Sequence, residues 1–381
     1  MSRSLLVVAG EISGDMHAAG VVRALREQRP EVACWGIGGD ELRAAGMEVL
    51  YDVRDMSVLG LWEVLKRYGF FRRVFAGLLA EMESRRPDAL LLVDYPGFNL
   101  RLAQEAHRRG IKVLYYICPQ VWAWHRSRIR KMAECLTRLM VIFPFEVDVF
   151  RAVNLPVDFV GHPLVDQAAA ARAAPPVELP WPAGEGPRVA LLPGSRRQEV
   201  ERILPPMLGA AQELARRRPG VSFLVAAPSE AIAACARAVL ARQPSGSLQV
   251  EVVIGRTRAI LLQARAAMVA SGTATIESAL LGCPQIVVYK TAPLTYWVGK
   301  RVVRVPYLGM VNLVAGRGLC PEFLQAAARP AAMAAALLPL LDDTPERAAM
   351  VAGLAAVAET LAGGNPSRQA AAIVAEELGA A

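Results

Sequence analysis

The sequence predicts an α/β protein of two Rossmann-like, doubly wound domains facing across a cleft. Three observations carry this. Short Val/Leu/Ile/Tyr-rich runs without polar alternation recur along the chain, as in parallel strands buried on both faces. Helical patterns separate them almost throughout. The rhythm breaks at "AAAARAAPPVELPWPAGEGP", residues 168–187, and then restarts.

In the first half the strand candidates are 4–9, 32–37, 88–93, 112–117, 138–142 and 157–160. Helical patterns at 15–27, 60–84, 98–109, 125–134 and 146–153 lie between them. The Ala- and Pro-rich stretch 168–187 reads as an interdomain linker. Beyond it, strands are expected near 188–193, 221–226, 249–253, 266–269 and 285–289, again with helices between. The tail is Ala-rich and helical, with a break at Gly363-Gly364-Asn365-Pro366. The expected organisation is a first domain over 1–167, the linker, a second domain over 188–345, and C-terminal helices over 346–381. Those helices would pack back on the first domain or on a partner subunit in a homodimer.

The chain has 381 residues, 54% of them hydrophobic, which suits two cores better than one. The cysteines are scattered without a C-x-x-C pair, and the four histidines show no metal-ligand spacing. A cytosolic chain with reduced thiols is the expectation. No apolar run reads as long enough to span a bilayer. The net charge of +8 favours anionic partners: phosphorylated small molecules, an anionic membrane surface or nucleic acid.

The first strand runs into the turn "AGEISGD" (9–15) and a helix. A dinucleotide-binding turn would be Gly-rich and hold a pyrophosphate on the helix N-terminus. Here Glu11 and Asp15 put negative charge where that anion would sit. In "DALLLVDYPGFNLRLA" (88–103), Asp94 ends a buried strand, where a carboxylate faces the ligand side of an open sheet and suits general-base work.

The second domain supplies what the first turn lacks. In "VALLPGSRRQEV" (189–200), Gly194 allows close backbone approach, Ser195 is a candidate N-cap and Arg196 a bidentate cation for phosphate. In "MVASGTATIESALLGCP" (268–284), Ser271-Gly272-Thr273 opens a helix whose N-terminus suits a diphosphate. Glu277, one turn along, is placed to reach a ribose diol.

Two segments admit more than one reading. "YYICPQVWAWHRSRIRKM" (115–132) joins Trp122 and Trp124 to Arg126, Arg128, Arg130 and Lys131. It reads as a site for single-stranded nucleic acid, phosphosugar or lipid headgroups, or as a buried aromatic wall with a solvated basic face. In "MSVLGLWEVLKRYGFFRRVFAGLL" (56–79), Leu61, Val64, Leu65, Tyr68, Phe75 and Leu78 form one stripe toward the sheet. Val58, Leu59, Trp62, Phe70, Phe71 and Val74 remain, beside Lys66, Arg67, Arg72 and Arg73. That composition fits an interfacial helix in contact with membrane or acyl chains, or a helix buried in a core or dimer contact.

Taken together and in order, AGEISGD, GIGG, MSVLGLWEVL, DYPGFNLRLA, CPQVWAW, FPFE, FVGHPL, LLPGSR, ASGTATIES, NLVAGR and PEFLQ resemble the lipid-A-disaccharide synthase family. These are inverting glycosyltransferases of the GT-B type, and the likeness runs from residue 5 to about 325. It implies transfer of a diacylated glucosamine from UDP-2,3-diacylglucosamine to the 6-hydroxyl of lipid X, 2,3-diacylglucosamine 1-phosphate. Lipid A disaccharide phosphate and UDP would be the products. It further implies catalytic roles for Asp94 and Glu11, and a UDP side lined by Arg196, Glu277 and Asn312. No Asp-x-Asp motif is present, so no metal and no cofactor are expected. The expected location is cytoplasmic, peripheral on the anionic inner membrane, with no nucleic-acid partner. The alternatives are a UDP-GlcNAc 2-epimerase, a murein-precursor GlcNAc transferase, or a UDP-sugar-binding protein without activity.

Overall fold

The computed structural model describes residues 3–56, 67–124, 127–182, 186–243, 248–303 and 305–379. They divide into two compact units, Met1–Pro163 with Gly363–Ala381, and Leu164–Ala362.

Among the described residues, unit 1 holds a seven-stranded parallel sheet ordered β3-β2-β1-β4-β5-β6-β7. The strands are β1 Ser4–Ala9, β2 Ala33–Gly38, β3 Glu48–Asp52, β4 Ala89–Val93, β5 Lys112–Tyr116, β6 Arg138–Val141 and β7 Val157–Phe159. Leu5–Ala9 and Ala89–Val93 are wholly buried, which explains their uninterrupted apolar character. Alternation still sorts their side chains. Leu5, Val7, Leu91 and Val93 pack in one cluster with Val21, Val22 and Leu25 of the helix Ile12–Gln28. Ala370, Ala371 and Val374 of the helix Pro366–Leu378 complete that cluster, so the chain's last helix is part of unit 1's core.

Unit 2 holds, among the described residues, a six-stranded parallel sheet ordered β10-β9-β8-β11-β12-β13. Its strands are β8 Arg188–Leu192, β9 Ser222–Ala227, β10 Val250–Ile254, β11 Ala266–Ala270, β12 Gln285–Tyr289 and β13 Glu322–Leu324. In both sheets the strand order reverses beside the first strand, at β1/β4 and at β8/β11. Ligands of open parallel sheets bind outside the strand C-termini at such a switch point.

The sequence reading needs several corrections. It missed β3 and β13, both edge strands: β3 is mostly half-exposed and β13 has three residues. The expected linker 168–187 begins inside a helix, Leu164–Ala173, which belongs to unit 2. Its Pro-rich remainder is fastened to unit 2, where Gln263 Nε2 donates to the Val177 carbonyl at 2.7 Å and Trp181 Nε1 to Gln263 Oε1 at 2.9 Å. The tail divides later than expected: Pro345–Leu361 belongs to unit 2, and the part from Gly363 onward to unit 1. By length and composition the span Pro345–Leu378 is apolar enough to cross a membrane, contrary to the sequence reading. Among the described elements, however, it is two helices of 17 and 13 residues in different units.

Candidate active site

In unit 1 the β1/β4 switch point gathers Glu11 and Asp94. Glu11 is the exposed N-cap residue of the helix Ile12–Gln28. Gly10 before it has no room for a side chain, since a Cβ there would lie 2.2 Å from Tyr95 Cδ1. Asp94 and Tyr95 leave β4 with φ of 47° and 52°, the left-handed region. For residues other than glycine this costs roughly 1–2 kcal/mol each and persists where surrounding bonds enforce it. Burial, with the Glu11 carboxylate near enough to repel, pushes the Asp94 carboxyl up to about 6. A bond from the Tyr95 backbone N–H pulls the other way.

Asp15, the second carboxylate of the opening turn, does different work. It is buried, and its Oδ1 accepts from the Gly39 N–H at 2.6 Å and the Leu42 N–H at 3.3 Å. Its Oδ2 accepts from the Glu41 N–H at 3.1 Å. It therefore caps the short helix Asp40–Ala44 from a distance in sequence.

The next strand ends carry groups that the sequence did not single out. After β6, Glu146 is buried and accepts from Trp122 Nε1 at 2.8 Å and the Phe143 N–H at 3.3 Å. Burial pushes its carboxyl up to about 8. His162, after β7, lies 5.1 Å from the Phe143 ring, and burial holds its imidazole down at about 4. Trp122 is 6% exposed, so it belongs to the buried aromatic wall that is one of the readings of this segment. Its ring meets Phe145 edge-on at 4.9 Å. The side chains of Trp124 and Arg126 lie outside the described residues.

In unit 2 the β8/β11 switch point opens into a cavity of about 320 Å³. Gly194, Ser195 and Arg196 line it from the β8 side. Gly194 adopts φ 114°, and a Cβ there would lie 2.5 Å from Glu199 Oε2. The helix Arg197–Arg217 takes Arg196 as its N-cap residue, one position later than Ser195 was expected to serve. Glu199 reaches back to accept from the N–H groups of Ser195 at 3.0 Å and Arg196 at 3.2 Å, and pairs with the Arg196 guanidinium at 2.8 Å.

Ser271, Gly272, Thr273 and Glu277 line the cavity from the β11 side. The helix Thr273–Leu280 starts there with its N-terminal end at the cavity, and the Thr275 N–H turns back to the Gly272 carbonyl at 3.1 Å. Glu277 pairs with Arg258 Nε at 2.7 Å, a cation that the sequence reading passed over because nothing local marks it.

Asn312 lies on the short helix Met310–Ala315. It is wholly buried and is not among the residues lining this cavity. Its Nδ2 donates to the Cys320 carbonyl and to Glu322 Oε1, both at 2.8 Å, and its Oδ1 accepts from the Cys320 N–H at 2.8 Å. Glu322 in turn holds the N–H groups of Leu308 at 3.0 Å and Gly309 at 2.9 Å, and the Leu308 carbonyl accepts from Ser271 Oγ at 2.8 Å. Asn312 thus reaches the cavity through Glu322 and Ser271.

The proposed apolar surface is reduced. Val58, Leu59 and Trp62 lie outside the described residues, as does Lys66. Val74 is 2% exposed and sits with Leu78 and Met82 on the buried stripe of the helix Tyr68–Arg85. Tyr68, expected on that stripe, is instead 57% exposed. Phe70 and Phe71 are half-buried, with ring centroids 5.7 Å apart and the Arg67 guanidinium over Phe70.

Two parallel α/β units, each with loops at a strand-order switch point, define the GT-B fold that glycosyltransferases and epimerases share. The fold is shared with UDP-GlcNAc 2-epimerase from Neisseria meningitidis, solved bound to UDP-GlcNAc (TM-score 0.62, 14% identity, 98% of this chain and 99% of that one). It is shared also with MurG from Acinetobacter baumannii (TM-score 0.58, 14% identity, 98% of this chain and 99% of that one). A model of the lipid-A-disaccharide synthetase family matches residues 5–374. The lipid-A-disaccharide synthase of Geobacter sulfurreducens is 41% identical over 379 residues, covering 99% of this chain and 98% of the relative. The chain belongs to the lipid-A-disaccharide synthetase family and is an enzyme, a glycosyltransferase.

Proposed function

We propose that this chain transfers a diacylated glucosamine from UDP-2,3-diacylglucosamine to the 6-hydroxyl of lipid X, with inversion. The observation that carries this reading is the half-buried Asp94 carboxyl near Glu11 at the β1/β4 switch point. A carboxyl pushed up to about 6 is ionised at pH 7.5 yet more basic than a solvated one. Asp94 takes the proton of the acceptor hydroxyl as it attacks the anomeric carbon, and Glu11 orients the acceptor. The C1–O bond to UDP breaks on the opposite face.

The leaving UDP belongs to unit 2 in this reading. The N–H groups opening Thr273–Leu280 and the Arg196 guanidinium meet the diphosphate, where charge grows as the bond breaks. Glu277, held by Arg258, faces the ribose diol. Unit 1 would take the acceptor, working in the cytoplasm at the anionic inner membrane. Phe70 and Phe71, flanked by the exposed Arg72 and Arg73, are the described part of the membrane and acyl contact. Val58, Leu59 and Trp62 join them on sequence grounds.

The test is UDP release from UDP-2,3-diacylglucosamine, with and without lipid X. Release that requires the acceptor and yields a β-1,6-linked disaccharide is the expected result. Release indifferent to lipid X, or epimerisation of UDP-GlcNAc, overturns it.

A further inference from the structure

We infer that Tyr115 and Asn99 are positioning residues for Asp94, holding the Asp94–Tyr95 peptide in the orientation that serves the carboxylate. The inference rests on the reading of Asp94 as the base.

The sheet register places Tyr115 of β5 opposite Leu92 of β4. Its side chain reaches past the strand end, and its hydroxyl donates to the Asp94 carbonyl. Asn99, one helical turn after Tyr95, sends Nδ2 to the same carbonyl at 2.7 Å and to the Val93 carbonyl at 3.2 Å. Its own N–H donates to the Tyr95 carbonyl at 3.1 Å, which ties the helix start to the loop. On the other side of the residue, the Asp94 N–H donates to the Tyr116 carbonyl at 3.2 Å. Tyr115 and Asn99 are both wholly buried, so water does not compete for these bonds.

The consequence follows from peptide geometry. In a trans peptide the C=O and N–H point in opposite directions. Two buried donors draw the Asp94 carbonyl inward, so the Tyr95 N–H of the same peptide points outward. There its positive end favours the ionised Asp94 carboxyl. The clamp accounts for the left-handed pair at Asp94 and Tyr95. If the two side chains were only polar filling of the core, their loss would lower stability and leave the base's behaviour untouched.

Tyr115→Phe removes one oxygen and keeps the packing. In the full chain it should bind UDP with unchanged affinity by calorimetry and leave the KM for lipid X within about twofold. Its kcat should fall about 10- to 100-fold, the scale of a small misplacement of a reacting group. The acid limb of its kcat/KM profile should move to higher pH, because the Tyr95 N–H no longer favours the ionised carboxylate. Combined with Asp94→Asn, it should cost nothing further. Asn99→Ser takes the same measurements and decides the matter if Tyr115→Phe does not fold. A wild-type kcat and pH profile in the folded variant, with only a lower Tm, overturns the inference. Wild-type turnover by Asp94→Asn would instead sink the base reading itself, whereas an inactive Asp94→Asn beside an unaltered Tyr115→Phe sinks the clamp alone.

Discussion

The two units solve the same topological problem with opposite chemistry. Both place their loops where strand order reverses, after β1 and β4 in one and after β8 and β11 in the other. Unit 1 fills that position with carboxylates, a left-handed pair and buried side-chain donors. Unit 2 leaves it open, with glycines, a helix N-terminus and the largely exposed Arg196. One arrangement fits a group that must accept a proton, and the other fits an anion that arrives and leaves. The fold supplies the location, and a few loop residues decide the charge that is welcome there.

The sharpest way to break this contrast is Asp94→Asn. Asparagine tolerates the left-handed backbone, so the loop should survive. Turnover should fall ~10²–10⁴-fold while UDP binding, which the proposed function assigns to unit 2, stays at the wild-type level. The stability change should have the reverse sign. A folded-state carboxyl raised to about 6 adds stability that is complete below about 4 and is lost as pH rises through 6. At pH 8 the ionised group weighs against folding, and Asn should raise stability by about 1–3 kcal/mol in thermal or urea melts. The same value predicts that wild-type kcat/KM climbs with pH through about 6 and then levels off. A flat profile from pH 5 to 8 would remove Asp94 as the base.

On the unit 2 side, Arg196→Ala should weaken UDP binding by roughly 1.5–3 kcal/mol, with Glu277→Gln milder. Unchanged calorimetric affinity in both variants would move the nucleotide elsewhere. Asn312→Ala separates support from contact. It strands buried groups of Cys320 and Glu322, so it should cost about 1–3 kcal/mol of stability, with any loss of UDP affinity arriving through Ser271. A large affinity loss at unchanged stability would restore Asn312 to direct contact. The smallest effect is expected from Phe70→Ser with Phe71→Ser: a normal Tm and normal UDP binding, but weaker flotation with anionic vesicles. Wild-type flotation would take the membrane contact away from these residues.

Much of this was legible because the signals were local. Buried central strands announce themselves as apolar runs, and Asp94, Glu11, Gly194 and Ser271-Gly272-Thr273 stand at strand ends that one sequence suffices to place. What escaped depends on partners far along the chain. Asp15 reads as a second site carboxylate until the Gly39 and Leu42 N–H groups are seen on it. Asn312 resembles a ligand contact, yet its amide is spent on Cys320 and Glu322. Tyr115 and Arg258 look like ordinary strand and helix residues, because their meaning comes from Asp94 and Glu277 in neighbouring segments. Val74 was misjudged for a related reason: the helix turns Val74, Leu78 and Met82 inward, a phase set by tertiary packing.

The helix Pro366–Leu378 has a bearing on how the protein is made. It completes the core against Ile12–Gln28, and its end is held by Arg29 on the Gly379 carbonyl at 3.0 Å and by Lys112 and Arg138 on its glutamates. These partners are separated by most of the chain. During synthesis unit 1 emerges first, but it cannot close until unit 2 has left the ribosome and the last helix follows. For that interval the faces of Val21, Val22 and Leu25 await their cover, and ordering them carries the loop-closure entropy of the entire intervening unit. The half to which the proposed function assigns the base is thus the half whose core closes only after the other unit has been made, and the nascent chain is more open to aggregation until Pro366–Leu378 has emerged.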